Sequence, residues 1–366
     1  MPLLDLDAVL RFRIAAENAR MEDLARFLDH TTTGLTGLTD RVEAQSLTTR
    51  SGTDWSTWHA SARDADPLVR EVLALGMNRL LQDAKLDSGV FEVADFLLSR
   101  LTSTAGLPGV VLGHTQELES IDEDRSTISL RFPGTRVWDL PFLAHEFGHH
   151  AAARLPHLDP ALRDSRPLQD VVDSVAGTIG GDLDKARSHA NELVADAVAT
   201  TCLGPTYPIA TLCLRTSDGG RASATTSTHP SWRDRVATMG AVLEALTAAT
   251  GLHRYRDAHL TTVRAVENSL FRTLCPPAPA AAEAAERTVV SIVRHRPGLV
   301  YRDADAAIDV AHRLAQLDPE PPADASVLAV LDGVWRWRLA HIGEDESAVA
   351  DLALSYCRSI ATGGAR

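Results

Sequence analysis

No stretch of this 366-residue chain approaches the roughly eighteen uninterrupted apolar residues that a membrane-spanning helix needs. A membrane span is therefore not expected. Lys and Arg form no run or stripe, and the formal net charge is -13. That balance argues against a nucleic-acid partner and favours a basic or neutral peptide as ligand. Cys202, Cys213, Cys275 and Cys357 lack CxxC spacing and fall mostly in apolar helical contexts, which fits free buried thiols in a reducing compartment. The opening MPLLDLDAVLRFR puts acidic residues where a secretory leader needs a basic flank, so a cytoplasmic location is expected. The helical segments after 280 show no fixed-period residue pattern either.

What the chain does have is PFLAHEFGHH at 141–150, which contains an HExxH pattern in His145, Glu146 and His149. On a helix the two histidines stand one turn apart on the same face, so both imidazoles can reach one metal ion. Glu146 then projects beside the metal, where a general base for an activated water belongs. With only three fixed positions, such a pattern also arises by coincidence on an amphipathic helix, and context has to decide. Upstream, STISLRF at 126–132 alternates Ile128, Leu130 and Phe132 with Thr127, Ser129 and Arg131, the pattern of a half-buried strand. Pro133-Gly134 ends it, and Asp139 with Pro141 starts the next helix. The strand offers a docking edge for an extended substrate.

Zinc in a catalytic site takes a third protein ligand. The metzincin extension would need Gly at 152 and His at 155, but Ala152 and Leu155 stand there. His150 faces away from the ligand stripe, while His157 and Asp159 lie past Pro156 in a turn; surface or capping roles suit all three. Glu192 and Asp196 are better placed, one helical turn apart in NELVAD within the apolar-rich segment 188–202. Two carboxylates among Leu193, Val194, Ala195, Ala197, Val198 and Ala199 need a partner to offset desolvation. Glu192 can supply the ligand, and Asp196 can accept the second ring N–H of a ligating histidine.

HExxH followed by N-E-x-x-A-D is the gluzincin signature, and STHPSWRDRV at 227–236 resembles a third segment of the HtpX and CAAX-prenyl-protease family of metallopeptidases. The likeness spans 141–236, about a quarter of the chain. It implies that His145, His149 and Glu192 bind zinc, that Glu146 is the base, that Asp196 supports a ligand, and that His229 and Arg235 lie near the active site. His229 suits an oxyanion donor or, ahead of Pro230, a helix N-cap. Arg235 suits pairing with Asp196 or another buried carboxylate. Tyr207 reads as an oxyanion donor or as packing in a helix-ending turn. Members of that family carry transmembrane helices that this chain lacks, so specificity for membrane substrates is not carried over. The segment 158–187 between the second histidine and Glu192 is long, an inserted helix and loop suited to roofing the cleft.

The rest of the chain reads as helical. Apolar spacing marks helices at 3–28, 66–86 and 91–101, with Thr/Ser/Gly-rich loops at 31–39 and 48–56 and a first strand at 109–113. A Gly/Ser/Thr loop at 217–228 suits an active-site flap. The proline-rich 275–279 marks a boundary, beyond which helices are expected at 281–294, 303–317, 326–341 and 347–360. Of Trp335 and Trp337, one is expected to pack and the other to lie near the surface under an arginine.

The expected fold is mainly α with a small β-sheet: a zincin-like α+β core at 106–274, an N-terminal helical region at 1–105 and a C-terminal bundle at 280–366. The expected activity is zinc-dependent hydrolysis of peptide bonds in a peptide or protein substrate. Two alternatives stand beside it: a helical interaction protein with a structural or sensory zinc site, its partner bound by the C-terminal helices, and a zinc hydrolase of a non-peptide amide.

Overall fold

The computed structural model describes residues 89–115, 120–122, 127–131, 136–157, 165–216, 225–250, 278–341 and 344–363. The helices expected at 3–28 and 66–86, the loops at 31–39 and 48–56, Asp159, Cys275 and most of the loop at 217–228 lie outside them. The architecture is mainly α, as the apolar periodicity implies. Among the described residues no helix is long and apolar enough to cross a membrane.

Helix α1 (Val90–Ala105) is bounded by Gly89 and Gly106, both left-handed, and buries Phe91, Leu97, Leu98 and Leu101 on its inner side. Three short strands follow: β1 (Val111–Thr115), β2 (Ser120–Asp122) and β3 (Thr127–Arg131). β3 lies in the middle, parallel to β1 and antiparallel to β2. Ile128 and Leu130 are buried in the core, as their alternation requires. The central place of β3 corrects the expectation that this strand offers a docking edge: neighbours occupy both of its sides. The edge beside the cleft belongs to β2, whose Ile121 lines it. β1 also starts two residues later than the expected strand at 109–113, at the point where Val111 pairs with Thr127.

A turn at 136–141, closed by Asp139 accepting from the Arg136 N–H at 2.9 Å, leads into α2 (Phe142–Arg154). Every residue of α2 from Phe142 to Ala152 is buried, including His145, Glu146, His149 and His150. Four ionisable side chains inside one helix need compensating partners. After α3 (Pro167–Ile179), Asp182 caps α4 (Leu183–Leu203) by accepting from the Lys185 N–H at 3.0 Å. α4 is buried without interruption from Leu193 to Leu203. It is the central rod of the fold, with α2 and α3 against it. Its alanines let neighbours come close. A close backbone approach lies at Gly148 of α2, where an added Cβ would stand 2.7 Å from the Ala195 carbonyl oxygen and 2.8 Å from its Cα. Because those atoms are backbone, Gly148→Ala pushes the helices apart and is expected to cost about 2 kcal/mol in a denaturant melt.

The chain continues through α5 (Thr206–Leu214) and α6 (Trp232–Thr250), both packed on α4, to α7 (Pro279–His295). α7 lies against α3, α4 and α6, so one hydrophobic core runs through both sides of the proline-rich 275–279. α3 is held behind the site by α2, α4 and α7, and none of its residues lines the cleft. Among the described residues, the expected roof over the cleft is therefore not found in the segment 158–187.

The last helices are α8 (Ala304–Ala315), α9 (Val327–Ala340) and α10 (Ser347–Gly363), close to the segments expected from the Pro/Gly and acidic breaks. Tyr301 joins them to α4. Its N–H donates to the Thr201 carbonyl at 2.9 Å, its ring fills the space a Cβ on Gly204 would need, and its hydroxyl donates to buried Asp332 at 2.7 Å. Both Trp335 and Trp337 are buried, contrary to the expectation of one near the surface. Trp335 meets Trp138 edge-on at 5.5 Å with the Arg338 guanidinium over both rings, and Trp337 stacks on His341.

Candidate metal centre

The i, i+4 spacing on α2 places the Nε2 atoms of His145 and His149 3.2 Å apart. Close approach at Gly148 then brings α4 near enough for Glu192 to face both rings, 3.5 Å from His145 Nε2 and 3.4 Å from His149 Nε2. Ligand atoms from these three residues all lie within 4.8 Å of one another, a group that could hold a metal ion. An ion bound tetrahedrally by bonds of roughly 2.0–2.1 Å sets neighbouring ligand atoms about 3.3–3.4 Å apart, so the observed separations fit such an ion.

One turn beyond Glu192, Asp196 is fully buried behind His145. It accepts from Arg235 Nε at 2.7 Å, Arg235 Nη2 at 2.8 Å and the Tyr207 hydroxyl at 2.5 Å. Its Oδ1 also lies 3.0 Å from His145 Nδ1. A proton on Nδ1 shared with that carboxylate leaves the Nε2 lone pair facing the cluster. Arg235 spans both acids, with Nη1 3.3 Å from Glu192 Oε2 and its guanidinium over the Trp232 ring at 4.5 Å. The expected Arg235–Asp196 pair is thus present as a bidentate fork.

The charges do not balance within this group. Glu146, Glu192 and Asp196 bring three carboxylates, against one guanidinium from Arg235. Burial disfavours charge on His145, but its bonds to Asp196 and Glu192 outweigh burial and raise its pKa to about 10. Burial would likewise raise Glu192, yet contacts with His145, His149 and Arg235 hold it far below the carboxylate range. Asp196 is also lowered, its burial overcome chiefly by Arg235. The donor set therefore attracts positive charge, as a cation site should. His149 Nδ1 is buried without a hydrogen-bond partner among the described residues.

His229 sits at the cleft, its side chain 54% exposed and its Nε2 3.7 Å from Glu192 Oε1. The N-cap of α6 is Ser231, whose hydroxyl accepts from the Asp234 N–H at 3.1 Å and donates to the Asp234 carboxylate at 2.6 Å. His229 is thereby excluded from the capping role. Its loop is tied to α4 just before Glu192: Ser188 Oγ donates to the Thr228 carbonyl at 2.9 Å, and His189 Nε2 lies 3.0 Å from the Thr226 carbonyl. Sequence reasoning missed this tie, which joins residues 37–40 positions apart.

Tyr207 is buried, and its hydroxyl proton is committed to Asp196; burial, then the Asp196 charge, raises its pKa well above the ordinary value. It orients the Asp196–His145 pair, so the oxyanion-donor alternative is not what the geometry favours. His150 faces away from the ligands as helix spacing demands. It is, however, fully buried rather than on the surface, and burial, with the Arg154 charge, lowers its pKa to about 4. His157 packs against His295 at 4.4 Å and does not line the cleft.

The cleft in front of the ligands encloses about 410 Å³. It is also lined by Ile121, Phe142, Asn191, Thr211, Arg215 and Trp232; Phe142, Asn191 and Trp232 fall within the motif segments without an assigned role, and Ile121, Thr211 and Arg215 lie outside them. Thr211 and Arg215 follow Tyr207 at four-residue steps, the one signal that could have pointed to them. Comparison with protein-family models, with curated proteins and with solved structures finds no match.

Proposed function

We propose that this chain is a zinc-dependent peptidase of the gluzincin type, with a zincin-like α+β core, acting in the cytoplasm on a peptide or protein substrate. The observation that carries the reading is the convergence of His145, His149 and Glu192 at tetrahedral-edge separations, with Asp196 behind the first histidine and Glu146 beside the group. A zinc ion held by those three residues supplies Lewis acidity, making water acidic and a carbonyl electrophilic. Glu146 takes the proton of the attacking water and returns it to the leaving amine as the C–N bond breaks. Asp196 and Tyr207 hold the His145 ring, and Arg235 fixes the orientation of both carboxylates on α4. His229, on its tethered loop, donates an N–H toward the developing oxyanion.

The test is metal content by elemental analysis together with digestion of a broad peptide library. About one zinc per chain is expected in the wild type, and none in His149→Ala or Glu192→Ala. The zinc-loaded wild type should yield cuts that a chelator suppresses and added zinc restores. A metal-free wild type after incubation with zinc counts against the site, and a loaded protein that cuts nothing counts against peptide hydrolysis.

A further inference from the structure

Most of the polar side chains that line the cleft are already committed. Tyr207 donates to Asp196, Arg235 is shared by Asp196 and Glu192, and His229 meets the Thr228 hydroxyl through Nδ1 at 2.8 Å. Thr211, one turn after Tyr207, is 1% exposed and offers a ligand almost no surface. Arg215 stacks on the Phe142 ring and is further engaged. Asn191 differs from all of these. It lines the cleft and is half-buried, and its carboxamide makes no hydrogen bond among the described residues. It precedes Glu192 on α4 and stands one turn before Ala195, whose backbone faces Gly148 of α2. The carboxamide is thus set by the crossing of α2 and α4, next to the ligand group but outside it. His149 Nδ1 has no partner, so the amide is not engaged in orienting that ring either. A carboxamide with an acceptor and donors both open is suited to a ligand that offers the same pair.

We infer that Asn191 binds the backbone of the peptide substrate; the inference rests on the peptidase reading. In an extended chain the N–H and C=O of one residue point to the same side, and a carboxamide pairs with both, accepting from the first and donating to the second. Peptide groups that leave water for a cleft need such partners, because an unpaired one costs more than a paired one gains. The carbonyl under attack faces the metal centre, so the residue that Asn191 holds carries peptide groups beyond the scissile one. The substrate class that follows is a chain of several peptide groups, read at this point by its backbone and not by a side chain. A single amide lacks the second group, which sets this recognition apart from hydrolysis of a small non-peptide amide.

The experiment measures binding on the full chain, zinc-loaded and carrying Glu146→Gln so that peptides are held with little turnover. A fluorescein-labelled nonapeptide that the wild type cuts in the library digest is titrated by anisotropy. Beside it runs a set in which each peptide bond in turn is replaced by an ester, which removes one N–H. At least one ester away from the scissile bond should bind about 3- to 10-fold more weakly than the all-amide peptide, the range for one hydrogen bond. Adding Asn191→Ala should abolish that difference while leaving the effects of the other esters and the zinc content unchanged. Asn191→Asp keeps an acceptor but has no donor, so it should retain the difference. A parent protein with no such ester, or an ester pattern that is the same in Asn191→Ala, overturns the proposal. Loss of zinc in Asn191→Ala overturns it too, by making Asn191 a support for the metal ligands. Failure of the peptidase reading shows elsewhere, as a zinc-loaded wild type that cuts no peptide in the library digest.

Discussion

On the peptidase reading, Glu146→Gln is expected to hold one zinc per chain and to hydrolyse peptides about 1,000-fold more slowly than the wild type, within the range for loss of a general base. The substitution keeps the volume and planarity of a side chain that is 8% exposed, so the packing of α2 should be preserved. What it removes is the only proton acceptor that the HExxH spacing sets beside the ligand group. The proposed ligands are untouched, because His145, His149 and Glu192 meet one another without Glu146. Single-turnover rates and zinc content measured on the same preparation check both halves. A variant that cleaves as fast as the wild type removes Glu146 from the mechanism; one that loses its metal shows that Glu146 holds the site together.

The largest loss of stability is expected from Arg235→Met. Arg235 is 7% exposed and donates twice to Asp196, which has no exposure at all. Removing the guanidinium leaves a buried carboxylate with only a tyrosine hydroxyl and an imidazole, and stranding one partner of a buried ion pair costs about 3–5 kcal/mol. Urea melts of the chelated proteins isolate this cost from any contribution of bound metal. Adding Asp196→Asn to Arg235→Met removes the stranded charge and should recover part of the loss. A single variant within about 1 kcal/mol of the wild type would mean that the pair is far better solvated than its burial implies.

The pairing of His145 with His149 and of Glu192 with Asp196 was legible because each depends on spacing within a single helix. His145 with His149, and Glu192 with Asp196, are each one turn apart, and a turn aligns side chains wherever the helix lies. The meeting of the two pairs was less open to sequence reasoning. It depends on the absence of a side chain at Gly148, which has meaning only once Ala195 is known to lie opposite. Arg215 and Phe142 escaped notice for a similar reason: 73 positions apart, they become neighbours through the docking of α5 beside α2. Apolar periodicity announced the helices after the proline-rich stretch, but it reports a buried face and not what covers it. Only the structure shows α7 against α3, α4 and α6. The alternation at 127–131 likewise identified a strand without revealing that it lies between two others.

The packing of α7 and the Tyr301 bridge bears on how far the chain can be dissected. A fragment ending at the proline-rich stretch would bare the flank of α4 that α7 covers, along with the end of α4 where Tyr301 fills the gap beside Gly204. The rod bearing Glu192 and Asp196 would then be wetted on a side built from Val, Ala and Leu. Transplanting the His145, His149 and Glu192 group into another scaffold therefore requires carrying a helix that contributes no atom to it.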